Sequence, residues 1–124
     1  MKVLMSIKPE FVEKIFSGEK QFEFRRSIFK REDVDTIIMY ATKPIGKIVG
    51  EIKFNTILID TPENIWNKTK RNAGVSEKFF FDYFQNKELA HAIKIDKVIK
   101  YNKAINPNDV YNKFTAPQSF IYVD

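Results

Sequence analysis

Residues 17–27, SGEKQFEFRRS, join the end of a helix to the start of a strand. Upstream, Phe11, Val12, Ile15 and Phe16 form the apolar stripe of a short helix. Pro9 suits its first position, and Glu10 suits the positive end of its dipole. Gly18 closes it, because glycine turns left-handed at a helix end without steric cost. The pattern then becomes alternating over Gln21–Arg25: Phe22 and Phe24 share one face, Glu23 and Arg25 the other. One turn therefore delivers the ammonium of Lys20, the carboxylate of Glu23 and the guanidinium of Arg25 within a short span.

Working outward, Val3–Ile7 reads as a short strand and Thr36–Thr42, TIIMYAT, as another, ended by Lys43-Pro44. Lys47–Ile59 is long for a strand. Its apolar residues fall at Ile48, Ile52 and Phe54, then change phase to Ile57 and Ile59. That change predicts a bulge or bend near Asn55-Thr56, as strands wrapping a small barrel require. Thr61-Pro62-Glu63 opens a second helix, with Thr61 as its cap. Ser76-Glu77 opens a third, whose Phe79, Phe80, Tyr83 and Phe84 form an aromatic stripe. Leu89–Tyr101 is a second long strand through His91, Ile93 and Ile95, with a bulge expected at Asp96-Lys97. After a loop at Asn106-Pro107-Asn108, Ser119–Val123 closes the chain as a strand. The expected architecture is one α+β domain over residues 1–124, a small mixed β-barrel flanked by three short helices.

The composition fits a folded domain of this size: 124 residues, 44% apolar and 30% charged, with twelve Phe. There is no cysteine, which favours a reducing compartment. No secretory cleavage site follows the first apolar run, and no stretch reaches the roughly 20 apolar residues of a membrane helix. A cytoplasmic protein without a membrane partner is expected. The net charge is +5, and residues 1–31 hold eight Lys or Arg against four Glu. Such a local surplus of cations points to an anionic partner.

Several chemistries lack their parts. A single His and no Cys leave a zinc site without ligands. His91 stands in the apolar run AHAIKI, where it reads as a satisfied strand residue rather than a catalytic base. Neither a Walker phosphate loop nor a dinucleotide-binding glycine fingerprint is present. No cofactor and no metal are expected.

The order G-x-K-x-x-E is met by Gly18, Lys20 and Glu23. Around it stand SIKP at Ser6–Pro9, YAT at Tyr40–Thr42, VGEI at Val49–Ile52 and APQSF at Ala116–Phe120. In this combination the chain resembles the ASCH family, a branch of the PUA-like β-barrels. The resemblance implies a cleft between barrel and helices and an RNA, nucleotide or nucleoside ligand. The candidate ligand-binding residues are Ser6, Lys8, Gly18, Lys20, Glu23, Arg25, Arg26, Tyr40, Thr42, Gln118, Ser119 and Phe120. Lys20, Arg25 and Arg26 suit phosphate or a base edge, Arg by a two-pronged hydrogen bond. Glu23 can pair with Lys20 or accept from an amino group on a base. Tyr40 and Phe120 are candidates for stacking a base, although a place in the core is the commoner fate of such rings.

Three alternatives stand beside this expectation. Some similar proteins hydrolyse a modified cytidine by using a Lys to activate a Thr, and others are proposed ribonucleases. If this chain is an enzyme, Lys20 and Glu23 are its candidate catalytic residues. No Ser or Thr follows Lys20 before Ser27, however, and Glu23 holds the place such a nucleophile would take. A protein-interaction domain would instead expose the rings of Phe79–Phe84. Finally, Glu23 and Arg25 can be read as a solvated surface pair, with Lys20 a polar turn residue.

Overall fold

In the computed structural model, which describes residues 1–123, the chain runs β1 (Lys2–Ile7), α1 (Pro9–Ser17), β2 (Phe22–Arg25), β3 (Thr36–Ala41), β4 (Lys47–Lys53) and β5 (Thr56–Asp60). It continues through α2 (Pro62–Thr69), α3 (Glu77–Tyr83), β6 (Ala90–Lys94), β7 (Lys97–Ile105) and β8 (Phe120–Val123). The end of α1 and the starts of α2 and α3 carry caps. Gly18, at φ 84°, sends its N–H to the Ile15 carbonyl and ends α1. The Thr61 and Ser76 hydroxyls accept from the backbone N–H groups of Asn64 and Phe79, two orphan donors of α2 and α3.

Among the described residues the strands form two open sheets instead of the expected small mixed β-barrel. One has five strands in the order β7-β4-β3-β1-β8, and the other has three in the order β2-β6-β5. Within the larger sheet only β1 and β3 run parallel. The two long segments, one expected to bulge or bend and the other to bulge, are each divided between the sheets. β4 ends at Lys53 and β5 begins at Thr56, while β6 ends at Lys94 and β7 begins at Lys97. A change of side-chain phase reverses which residues face inward, and here the chain accommodates it by changing sheet. Both corners are fastened: Phe54 N–H donates to Asp35, Ile95 N–H to Gln21 and Asp96 N–H to Lys53 carbonyls. Register shifts lie elsewhere, at Met39/Tyr40 and between Ile48 and Gly50.

Three apolar clusters hold these layers. Val12 and Ile15 of α1 pack with Val3, Met5, Ile37, Met39, Ile52 and Ile93. Ile65, Phe80 and Phe84 of the helical region join Phe24, Ala90 and Ala92 of the smaller sheet. On the outer face of the larger sheet, Leu4, Ile38, Tyr40 and Ile48 lie under Tyr101, Tyr111 and Phe114. Among the described residues no helix is long and apolar enough to cross a membrane.

Candidate functional site

The alternation of β2 settles where its charges go. Phe24 enters the cluster beneath α2 and α3, so Glu23 and Arg25 turn to the opposite face. There both are buried, at 6% and 8% exposure, with Arg25 Nε 3.2 Å from Glu23 Oε2. Arg25 Nη2 donates to the Ser6 carbonyl at 3.0 Å, tying β2 to the end of β1. The solvated-pair reading is thereby overturned. Arg25 Nε is buried without a well-aligned hydrogen bond, so the guanidinium keeps donor capacity in hand.

Lys20 is buried too, at 3% exposure. Its ammonium donates to the Ala73 carbonyl at 3.1 Å and stands 4.6 Å from the Phe24 ring centroid and 5.2 Å from that of Phe11. Glu23 therefore pairs with Arg25 rather than with Lys20. Burial lowers the Lys20 pKa to about 8; the Glu23 carboxylate opposes the fall, while Lys14 and Arg25 add to it. The segment 72–74 forms a clamp on this turn. Asn72 accepts from Gln21 N–H, Ala73 from Lys20 Nζ and Gly74 from Lys14 Nζ.

These groups reach one open cavity of about 480 Å³ between β1, β2 and α3. Of the candidate residues, Ser6, Lys8, Lys20, Glu23, Arg25, Arg26, Thr42, Gln118 and Ser119 line it. The other three stand apart. Gly18 is exposed and contributes the turn, with open space where a side chain would begin. Tyr40 is carried by the alternation of β3 to the outer face, where its ring lies 5.1 Å from Phe114. Phe120 packs on Phe29 and Tyr122, at 5.8 and 5.6 Å. His91 is half-buried on β6, with Nδ1 3.3 Å from the Arg25 carbonyl, and does not line the cavity.

Residues 5–99 match the ASCH domain. The chain belongs to the ASCH domain family. An ASCH domain-containing ribonuclease from Zymomonas mobilis subsp. mobilis is 29% identical over 128 residues, which cover 98% of this chain and 84% of that protein. The crystal structure of ASCH from Zymomonas mobilis matches with a TM-score of 0.88 at 28% identity, over 99% of this chain and 87% of that one. An ATP synthase subunit alpha and a large ribosomal subunit protein uL22 from Ureaplasma parvum serovar 3 are also 29% identical over 124 residues. This chain spans only 15% and 39% of their respective lengths.

This ASCH domain also has an aromatic wall to its cavity, which the sequence pattern does not assign to the site. Phe11, Phe79 and Tyr83 supply it, with Val75 and Ser27 beside them. The stripe at Phe79, Phe80, Tyr83 and Phe84 has the same spacing as that of α1, so the sequence does not mark which of its rings leave the core. Phe80 and Phe84 face the core, which leaves Phe79 and Tyr83 for the cavity. For Ala73 and Gly74 the sequence offers only the glycine itself.

Proposed function

We propose that this cavity binds RNA by taking up one unpaired nucleotide. The observation that carries the reading is the convergence of Lys20, Glu23 and Arg25, each less than a tenth exposed, on one open cavity, with the Phe11 and Phe24 rings beside the Lys20 ammonium. A pocket of this size accommodates a nucleoside. Its buried cations suit phosphate or carbonyl oxygens, and Glu23 suits an exocyclic amino group. The ribonuclease name of the Zymomonas relative adds support for RNA as the partner class. Fluorescence anisotropy with a labelled single-stranded RNA tests the reading. Affinity should fall with salt, and Lys20→Met combined with Glu23→Gln should weaken it at least tenfold while the circular dichroism spectrum is kept. Equal affinity in that variant would place binding elsewhere.

A second reading, RNA cleavage in the same cavity, is favoured by the Lys20 pKa of about 8. A lysine near neutrality can accept a proton in a transition state at ordinary pH. Incubation with end-labelled RNA separates the two readings. Cleavage that Lys20→Met removes while binding persists assigns a reaction, and intact RNA with wild-type protein leaves binding alone.

A further inference from the structure

The mouth of the cavity is built differently from its floor. The floor is buried charge; the mouth is the exposed ring of Phe79 and the half-buried ring of Tyr83, with cations laid on them. Phe79 and Tyr83, four residues apart on α3, share one side of the helix, and their rings are nearly parallel at 9° with centroids 6.2 Å apart. Phe79 is 37% exposed, unusual for a ring whose helical neighbours Phe80 and Phe84 are almost fully buried. Both rings are fixed in place. The Tyr83 hydroxyl donates to the Phe24 carbonyl at 3.3 Å, and Phe79 stands edge-on to Phe11 at 5.3 Å. Each has a cation over it: Lys8 Nζ lies 5.9 Å from the Phe79 centroid, and the Arg26 guanidinium lies 5.2 Å from that of Tyr83.

Both cations belong to exposed residues, so a flat ring arriving on either aromatic face displaces them at little cost. Displaced cations on long, flexible stems are then free to meet the charges that accompany the ring. Among ligand classes, single-stranded nucleic acid brings both parts together, a base to stack and a phosphate on either side of it. A peptide or a second protein would bring apolar surface without that regular anionic spacing.

We infer that Phe79 and Tyr83, with Lys8 and Arg26, form a second nucleotide subsite that stacks the base next to the one held in the cavity. This rests on the reading of the cavity as a nucleotide site and adds a direction to it. The RNA leaves the cavity along α3, with Lys8 and Arg26 on its phosphates. The subsite selects chain length rather than sequence, because every base offers a π-face.

Affinities of the full chain for the four nucleoside 5′-monophosphates and for an unstructured ten-nucleotide RNA test this. Phe79→Ala should lower the ratio of oligonucleotide to mononucleotide affinity by about 5- to 150-fold, the range set by one lost stacking contact. Phe79→Trp, which keeps a stacking face, should restore the ratio. Lys8→Ala with Arg26→Ala should reduce the slope of log affinity against log salt by about 1.4 for the oligonucleotide, two phosphates' worth on a single strand. An unchanged ratio in Phe79→Ala, with wild-type protein binding both probes, overturns the second subsite alone. Wild-type protein that binds neither probe overturns the cavity reading and the subsite with it.

Discussion

Gly74 lies against the stem of Lys20. A methyl group on its α-carbon would come within 2.7 Å of Lys20 Cγ and 2.9 Å of Lys20 Cα. Since Ala73 also accepts the hydrogen bond from Lys20 Nζ, one short loop both grips and orients the buried ammonium. Gly18 has a similar backbone, at φ +84° against +70°, but open space around it. Alanine at either position should cost about 1 kcal/mol for the left-handed conformation. Gly74→Ala should cost about 1–3 kcal/mol more, because Lys20 is packed and cannot withdraw. Urea denaturation of the two variants measures the difference, and equal destabilisation would show that the contact is relieved freely.

The buried lysine leaves a signature in the pH dependence of stability. Its folded pKa of about 8 lies below the unfolded value, so the native state is penalised fully below pH 8. The penalty fades as pH rises towards the ordinary lysine value of about 10.4, and the whole difference corresponds to roughly 3 kcal/mol. Lys20→Met should therefore gain stability relative to wild type at pH 7, and that relative gain should shrink by up to this amount by pH 10. Comparing the two proteins at each pH cancels the opposite effect of Tyr83, whose phenol burial pushes up. A pH-independent difference would mean that Lys20 is solvated in solution.

Glu23 and Arg25 stabilise the fold as a pair rather than singly. Glu23→Leu leaves a buried guanidinium without its carboxylate and should cost about 3–5 kcal/mol. Adding Arg25→Met removes the stranded charge, so the double variant should be more stable than Glu23→Leu alone. Denaturant melts of the double-mutant cycle check this. Strict additivity would mean that the two side chains do not interact.

The two aromatic stripes of α3 should separate cleanly. Phe80, 1% exposed, contacts Phe24, Trp66 and Phe84, and Phe80→Ala should cost about 3–5 kcal/mol. Phe79→Ala, at the open mouth, should cost about 1–2 kcal/mol. Thermal melts of both variants decide it, and similar losses would mean that Phe79 belongs to the core.

What could be read along the chain was read from short-range chemistry. The capping hydroxyls of Thr61 and Ser76, the proline and glycine bounding α1, and the alternation of β2 each depend on residues a few positions apart. They occur as the pattern predicts. At Asn55-Thr56 the expected bend is present, while at Asp96-Lys97 a change of sheet stands where a bulge is expected. A phase change marks a break there but does not say whether the strand bulges or departs for another sheet. That depends on partners such as Asp35 for Phe54 and Gln21 for Ile95, which are distant in sequence.

Local spacing suffices for a helix end, a turn and an alternating strand to bring Lys20, Glu23 and Arg25 close together, and for the family pattern they satisfy. Tertiary structure alone decided that all three are buried, that Glu23 pairs with Arg25, and that Lys20 answers to Ala73 and Gly74. It also turned Tyr40 and Phe120 away and brought Phe79 and Tyr83 in. Side-chain periodicity is a local property of the backbone. Desolvation and charge pairing are set by whatever the rest of the chain packs against each group.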